Sequence, residues 1–119
     1  EYKKNEEGIT PIKYLLEHTD PRYVNFQMDL YWVTKAGADP VAYFKAYPGR
    51  FKSWHVKDMD KEGKFAPVGE GTIDFKRILG EKETSGMEKY FVEQDMTWDK
   101  KPLDVIKISH NGLKVMGFQ

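Results

Sequence analysis

Three β-prone runs, with helix starts between and around them, constrain this chain more than any other feature. The runs are "VNFQMDLYW" at 24–32, "FKSWHVKD" at 51–58 and "KYFVEQDM" at 89–96. Four helix starts are legible. "TPIKYLLEH" offers Thr10 as N-cap and Pro11 at the first helical position, with Ile12, Leu15 and Leu16 at helical spacing. "DPVAYFKAY" repeats the device with Asp39 and Pro40, and Pro48-Gly49 closes it. "TIDFKRIL" has Asp74 as its cap and precedes the charged loop "GEKETSG". "DKKPLDVIKISHNGLKVM" puts Leu103, Ile106 and Leu113 on one stripe, with Asp99 as the expected cap and Gly112 weakening the later turns. A helix followed by strand–helix three times over predicts parallel strands joined by helical crossovers. No linker or low-complexity tract divides residues 1–119, which read as a single unit.

Side chains alternate across a strand, so each run splits into two faces. In the first, Val24, Phe26, Met28 and Leu30 oppose Asn25, Gln27 and Asp29. In the second, Trp54 and Val56 oppose Ser53, His55 and Lys57, and in the third Tyr90 and Val92 oppose Phe91, Glu93 and Asp95. Each run therefore has one apolar face for the helices and one that turns polar toward its C-terminal end. Parallel strands covered on both sides read as continuous apolar runs, and these do not. Polar interior positions at the C-terminal ends of parallel strands are where a (β/α)₈ barrel builds its active site.

Asp29, His55 and Glu93 occupy such positions and form a hard oxygen/nitrogen donor set. Carboxylate and imidazole suit Mn²⁺, Co²⁺, Zn²⁺ or Mg²⁺. Parity alone leaves a plainer reading for each: a hydrogen-bonded core His55, a strand-end cap for Asp29, an ion pair with Lys57 for Glu93. Lys57 reads either as a catalytic group touching a substrate oxygen or as a charge offsetting the carboxylates. Asp58 faces the other way, as a turn former or a partner for an imidazole N–H. Trp32 is an apolar wall for a sugar ring or ordinary helix–strand packing. Glu70, in "GEG", reaches a sugar hydroxyl or sits in a simple turn. His18 and His110 fall in helical patterns and read as surface or packing residues.

Composition narrows the partners. The 19 Lys+Arg cancel the 19 Asp+Glu, so no net field favours nucleic acid or an anionic membrane surface. No apolar run approaches the roughly 20 residues that span a bilayer. The chain has no Cys, which excludes disulfides, thiolate metal sites and Cys nucleophiles. It opens abruptly on "EYKKNEEG", and a leader before that point would lie outside it, so the compartment, cytoplasmic or periplasmic, stays open.

"FQMDLYW", "SWHVKD", "GEGTIDF" and "FVEQD", in that order, resemble the C-terminal part of the sugar phosphate isomerase/epimerase family, a xylose-isomerase-like TIM-barrel group. The resemblance covers nearly the whole chain and implies a divalent metal held by Glu, Asp, His and Glu at successive strand ends. Asp29, His55 and Glu93 match the last three. The first Glu has no match here, and Glu1 reads only as the tail of the region before it. The expected fold is the C-terminal portion of a (β/α)₈ barrel, about three parallel strands and four helices, incomplete by itself. "EYKK" is a possible fourth strand. The implied activity is isomerisation or epimerisation of a sugar by proton abstraction beside a carbonyl, through an enediolate. A lyase or dehydratase of a keto-sugar or inosose, or a non-catalytic fragment, is the alternative. Such a piece is expected to be inactive alone, and to pair with an N-terminal half-barrel or with itself.

Overall fold

The computed structural model describes residues 3–6 and 8–118. The tail reading of Glu1 lies outside them, as does the start of the "EYKK" strand; Lys3 and Lys4 carry no strand. The elements in order are α1 (Pro11–His18), β1 (Gln27–Asp29), α2 (Leu30–Lys35), α3 (Pro40–Ala46), β2 (Ser53–Val56), β3 (Asp58–Met59), β4 (Phe65–Ala66), α4 (Phe75–Leu79), α5 (Lys82–Ser85), β5 (Lys89–Val92) and α6 (Pro102–Met116). Strands β1, β2 and β5 form one parallel sheet in the order β1-β2-β5. The expected α/β architecture with three parallel strands is the one observed.

Capping chemistry sets most of the helix starts. Thr10, Asp39 and Asp74 each accept from a backbone N–H of the first turn, and Pro11 and Pro40 open α1 and α3. Asp29 caps a helix that the sequence did not suggest. Its Oδ1 accepts from the Trp32 N–H at 3.0 Å, so the chain leaves β1 after three residues and turns into α2. Leu30 is fully buried as a helical residue, where strand parity had placed it on the face of the sheet. The β-prone aromatics of "LYW" yield to the cap that precedes them.

The core lies on the helix side of the sheet. Met28, Trp54 and Val56 are buried there against Leu30, Val33, Phe44 and Phe51. Trp54 stacks on Phe44 at 5.1 Å between ring centroids. Its indole N–H donates to Ser85 Oγ at 2.9 Å, and that hydroxyl donates to the Phe51 carbonyl at 2.8 Å. This chain of bonds explains a buried serine in α5, a helix inside the stretch expected to be a charged loop. Arg50, also buried, clamps the end of α1 by donating to the Leu16 carbonyl at 2.7 Å and to Thr19 Oγ1 at 2.8 Å.

Helix α6 departs from its expected face and start. Lys101 is its N-cap residue, without a side-chain cap bond, so Asp99 does not serve. Val105 and Ser109 are buried, whereas Leu103 and Ile106 are exposed. The rotation follows from Gly112. A Cβ at that position would lie 2.0 Å from the Val68 carbonyl oxygen, so only glycine lets the helix approach this close. Ser109 Oγ accepts from the Val68 N–H at 3.0 Å on the same line. Gly112 thus fixes how α6 docks, and the helix runs on to Met116.

Candidate metal centre

Register brings the polar strand ends together. Asp29 of β1 lies beside His55 of β2, and Val56 lies beside Val92 of β5, which puts Lys57 level with Glu93. The Glu93 N–H donates to the Val56 carbonyl at 3.2 Å and carries the ladder one residue past β5. His55 Nδ1 is 3.5 Å from Asp29 Oδ2 and 3.1 Å from Glu93 Oε2. One ligand atom from each of the three residues falls within 4.8 Å of the others. Donors about 2.0–2.2 Å from one ion stand roughly 3–3.5 Å apart, the spacing of His55 from each carboxylate, so the group could hold a single hard divalent cation.

Asp29 takes the capping role that its sequence allowed, and one of its oxygens stays available to the cluster. Oδ1 caps α2, which leaves Oδ2 turned to the site. The cap fixes the carboxylate, so it would lose little entropy if it held an ion.

Lys57 is the charged centre of the group. Its side chain is 6% exposed, and its Nζ lies 3.1 Å from Asp29 Oδ2, 2.9 Å from Glu93 Oε2 and 3.1 Å from Asp95 Oδ1. Burial pulls its pKa down, but the hydrogen bonds it donates to Glu93, Asp29 and Asp95 together outweigh burial and hold it above the ordinary lysine value. Lys57 is therefore an ammonium at any pH near neutrality. Asp95 is the member of the group that sequence reading did not single out. Its signal was available, since it shares parity with Glu93.

An open cleft of about 810 Å³ lies beside β1, bordered by Asp29, Trp32, Lys35 and His55. Trp32 is half exposed there and meets Tyr31 and Phe65 edge-on. Glu70 stands apart, on an exposed loop where it pairs with Lys100 at 2.7 Å. Asp58 takes its turn-forming role. Its Oδ2 accepts from the N–H groups of Gly69 and Gly71 at 2.9 and 3.0 Å, and its Oδ1 accepts from Met59 at 2.8 Å. The "GEG" loop wraps that buried carboxylate, and a Cβ on Gly71 would lie 2.1 Å from it. His18 and His110 are exposed on α1 and α6, as expected.

No family model matches the chain. Inosose dehydratases of Lacticaseibacillus casei and of Clostridium tetani are each 30% identical to it, over 71% of this chain and 35% of the relative. A solved sugar phosphate isomerase/epimerase from Parabacteroides distasonis superimposes with a TM-score of 0.78 at 30% identity, covering 98% of this chain and 40% of that one. The chain thus spans 35% of the length of the curated relatives it matches.

Proposed function

We propose that this chain, similar in sequence and fold to part of the sugar phosphate isomerase/epimerases of the xylose-isomerase-like barrel type, carries part of the active site of a divalent-metal-dependent enzyme acting on a sugar or sugar derivative. The observation that supports this most is the convergence of Asp29, His55 and Glu93 at the ends of three adjacent parallel strands. Those three would hold Mn²⁺, Co²⁺, Zn²⁺ or Mg²⁺. When bound, such an ion supplies electrostatic stabilisation for negative charge developing on a carbonyl oxygen and its neighbouring hydroxyl.

The protein's own groups take the remaining roles. Glu93, whose carboxylate is partly open to solvent, removes the proton from the carbon beside the carbonyl. The C–H electron pair moves toward the carbonyl and yields an enediolate. Returning the proton to the neighbouring carbon, while the hydroxyl proton passes to the former carbonyl oxygen, gives an isomer. Protonation of the same carbon from the opposite face, by a second acid outside this chain, gives an epimer. Lys57 places a fixed positive charge beside the substrate oxygens, and Trp32 offers a flat apolar wall to the C–H face of the sugar.

The curated relatives favour a second outcome of the same first step. In a dehydratase the enediolate expels the hydroxyl group on the next carbon, which takes up the proton that Glu93 accepted and leaves as water. Both readings predict exchange at the carbon beside the carbonyl. This chain joined to the N-terminal part of such a barrel, with Mn²⁺ and a ketose or an inosose in D₂O, should catalyse deuterium incorporation there, read by NMR, and Glu93→Gln should stop it. An isomeric sugar as product selects the first reading, and loss of water selects the second. No exchange with either substrate class would overturn the proposal.

A further inference from the structure

We infer that Lys57 occupies the carboxylate pair of the proposed metal site when no divalent ion is present, and that Asp95 is the positioning residue that keeps it when one enters. The inference rests on the metal reading of Asp29, His55 and Glu93. Lys57 Nζ contacts Asp29 Oδ2 and Glu93 Oε2, the same two oxygens that face His55 Nδ1. An ammonium and a metal ion therefore compete for the same two atoms. Asp95 lies outside that set and presents both oxygens to Lys57, at 3.1 and 3.3 Å.

Burial makes the third carboxylate necessary. With 6% of its side chain exposed, Lys57 cannot exchange an anionic partner for bulk water. An ion that takes over Asp29 and Glu93 removes two of its three partners and adds positive charge beside it. Asp95, whose side chain is 45% exposed, supplies the anion that remains. The charge balance agrees: the three carboxylates and one ammonium leave two net negative charges, the complement of one divalent ion. Without Asp95, the entering ion would strand a buried ammonium.

The test is Mn²⁺ affinity, read from free-ion EPR, in wild type, Lys57→Met, Asp95→Asn and the double variant, each checked for folding by circular dichroism. Lys57→Met should bind about tenfold tighter, and Asp95→Asn about tenfold weaker. In the Lys57→Met background the Asp95→Asn loss should shrink to about threefold or less, because no ammonium is left to place. A Lys57→Met protein that binds no tighter than wild type overturns the inference, as does an Asp95→Asn loss that is equal in both backgrounds. If Lys57→Met does not fold, Lys57→Gln replaces it; if neither folds, Asp95→Asn binding as well as wild type overturns it. No Mn²⁺ binding by wild type or by Lys57→Met overturns the metal reading itself, whereas binding by Lys57→Met alone supports the competition.

Discussion

Trp54 and His55 are neighbours on β2 and sit in opposite environments. Trp54 is fully buried among Phe44, Phe51 and the α5 serine, and the indole N–H has its partner. His55 is a quarter exposed, faces two carboxylates and borders an open cleft. One alternation of the backbone separates a side chain that holds the sheet to its helices from one that faces two carboxylates across the strand ends. A parallel strand with helices on one side only can divide its labour in this way, stability on even positions and chemistry on odd ones. The strain of gathering like charges falls wholly on the odd face, where Lys57 offsets it.

The sharpest way to break that division is to delete the large side chain on each face. Trp54→Ala removes a fully buried indole together with the N–H that the Ser85 hydroxyl accepts, so it should cost about 3–5 kcal/mol in urea unfolding. Metal affinity should survive in whatever fraction remains folded. Equal sensitivity of Mn²⁺ binding and stability to this change would mean that the two faces are not independent.

His55→Ala is the converse and should cost about 1 kcal/mol or less, because the side chain lines a cleft and leaves no closed cavity. Mn²⁺ binding should be lost with it. A stability loss matching that of Trp54→Ala would show that His55 is a core residue after all.

How much of this was legible follows from the same alternation. Parity placed Asp29, His55, Lys57 and Glu93 on one face, because a period of two survives even in strands of three or four residues. It failed where a local hydrogen bond overrode propensity. Asp29 ends β1 early, and the aromatic run after it reads as strand although it is helix. The β3–β4 hairpin escaped notice because its strands have two residues each. Its turn is held by Asp60, whose Oδ1 accepts from the Glu62 and Lys64 N–H groups at 2.9 and 2.8 Å. Hydrophobicity places Leu113 of α6 against the core correctly but not Leu103 or Ile106, since the residues that set the rotation are Ser109 and Gly112. Contacts between backbones leave no hydrophobic signature to read.

The smallest effect sharpens the comparison by asking what a capping aspartate does away from the site. Asp39 caps α3 much as Asp29 caps α2, with Oδ1 accepting from the Val41 N–H at 3.1 Å. The difference lies in the rest of the carboxylate. Where Asp29 turns its second oxygen to the site, Asp39 gives both oxygens to Arg77, at 3.0 and 2.7 Å. The Arg77 hydrogen bond holds the Asp39 carboxyl below the usual aspartate value; burial opposes this and the backbone N–H groups of Val41 and Ala42 add to it. A carboxyl with a depressed pKa in the folded state stabilises the fold fully above its unfolded value of about 3.9 and ceases to as pH falls through the folded value. Arg77→Gln leaves the cap in place and removes only the ion pair. Its urea midpoint should therefore lie slightly below that of wild type at pH 7, converge with it as pH falls through the depressed Asp39 value, and narrow the gap in high salt. A gap that persists unchanged in acid would mean that Arg77 acts through packing, and that charge on this surface, unlike charge at the strand ends, does nothing the fold requires.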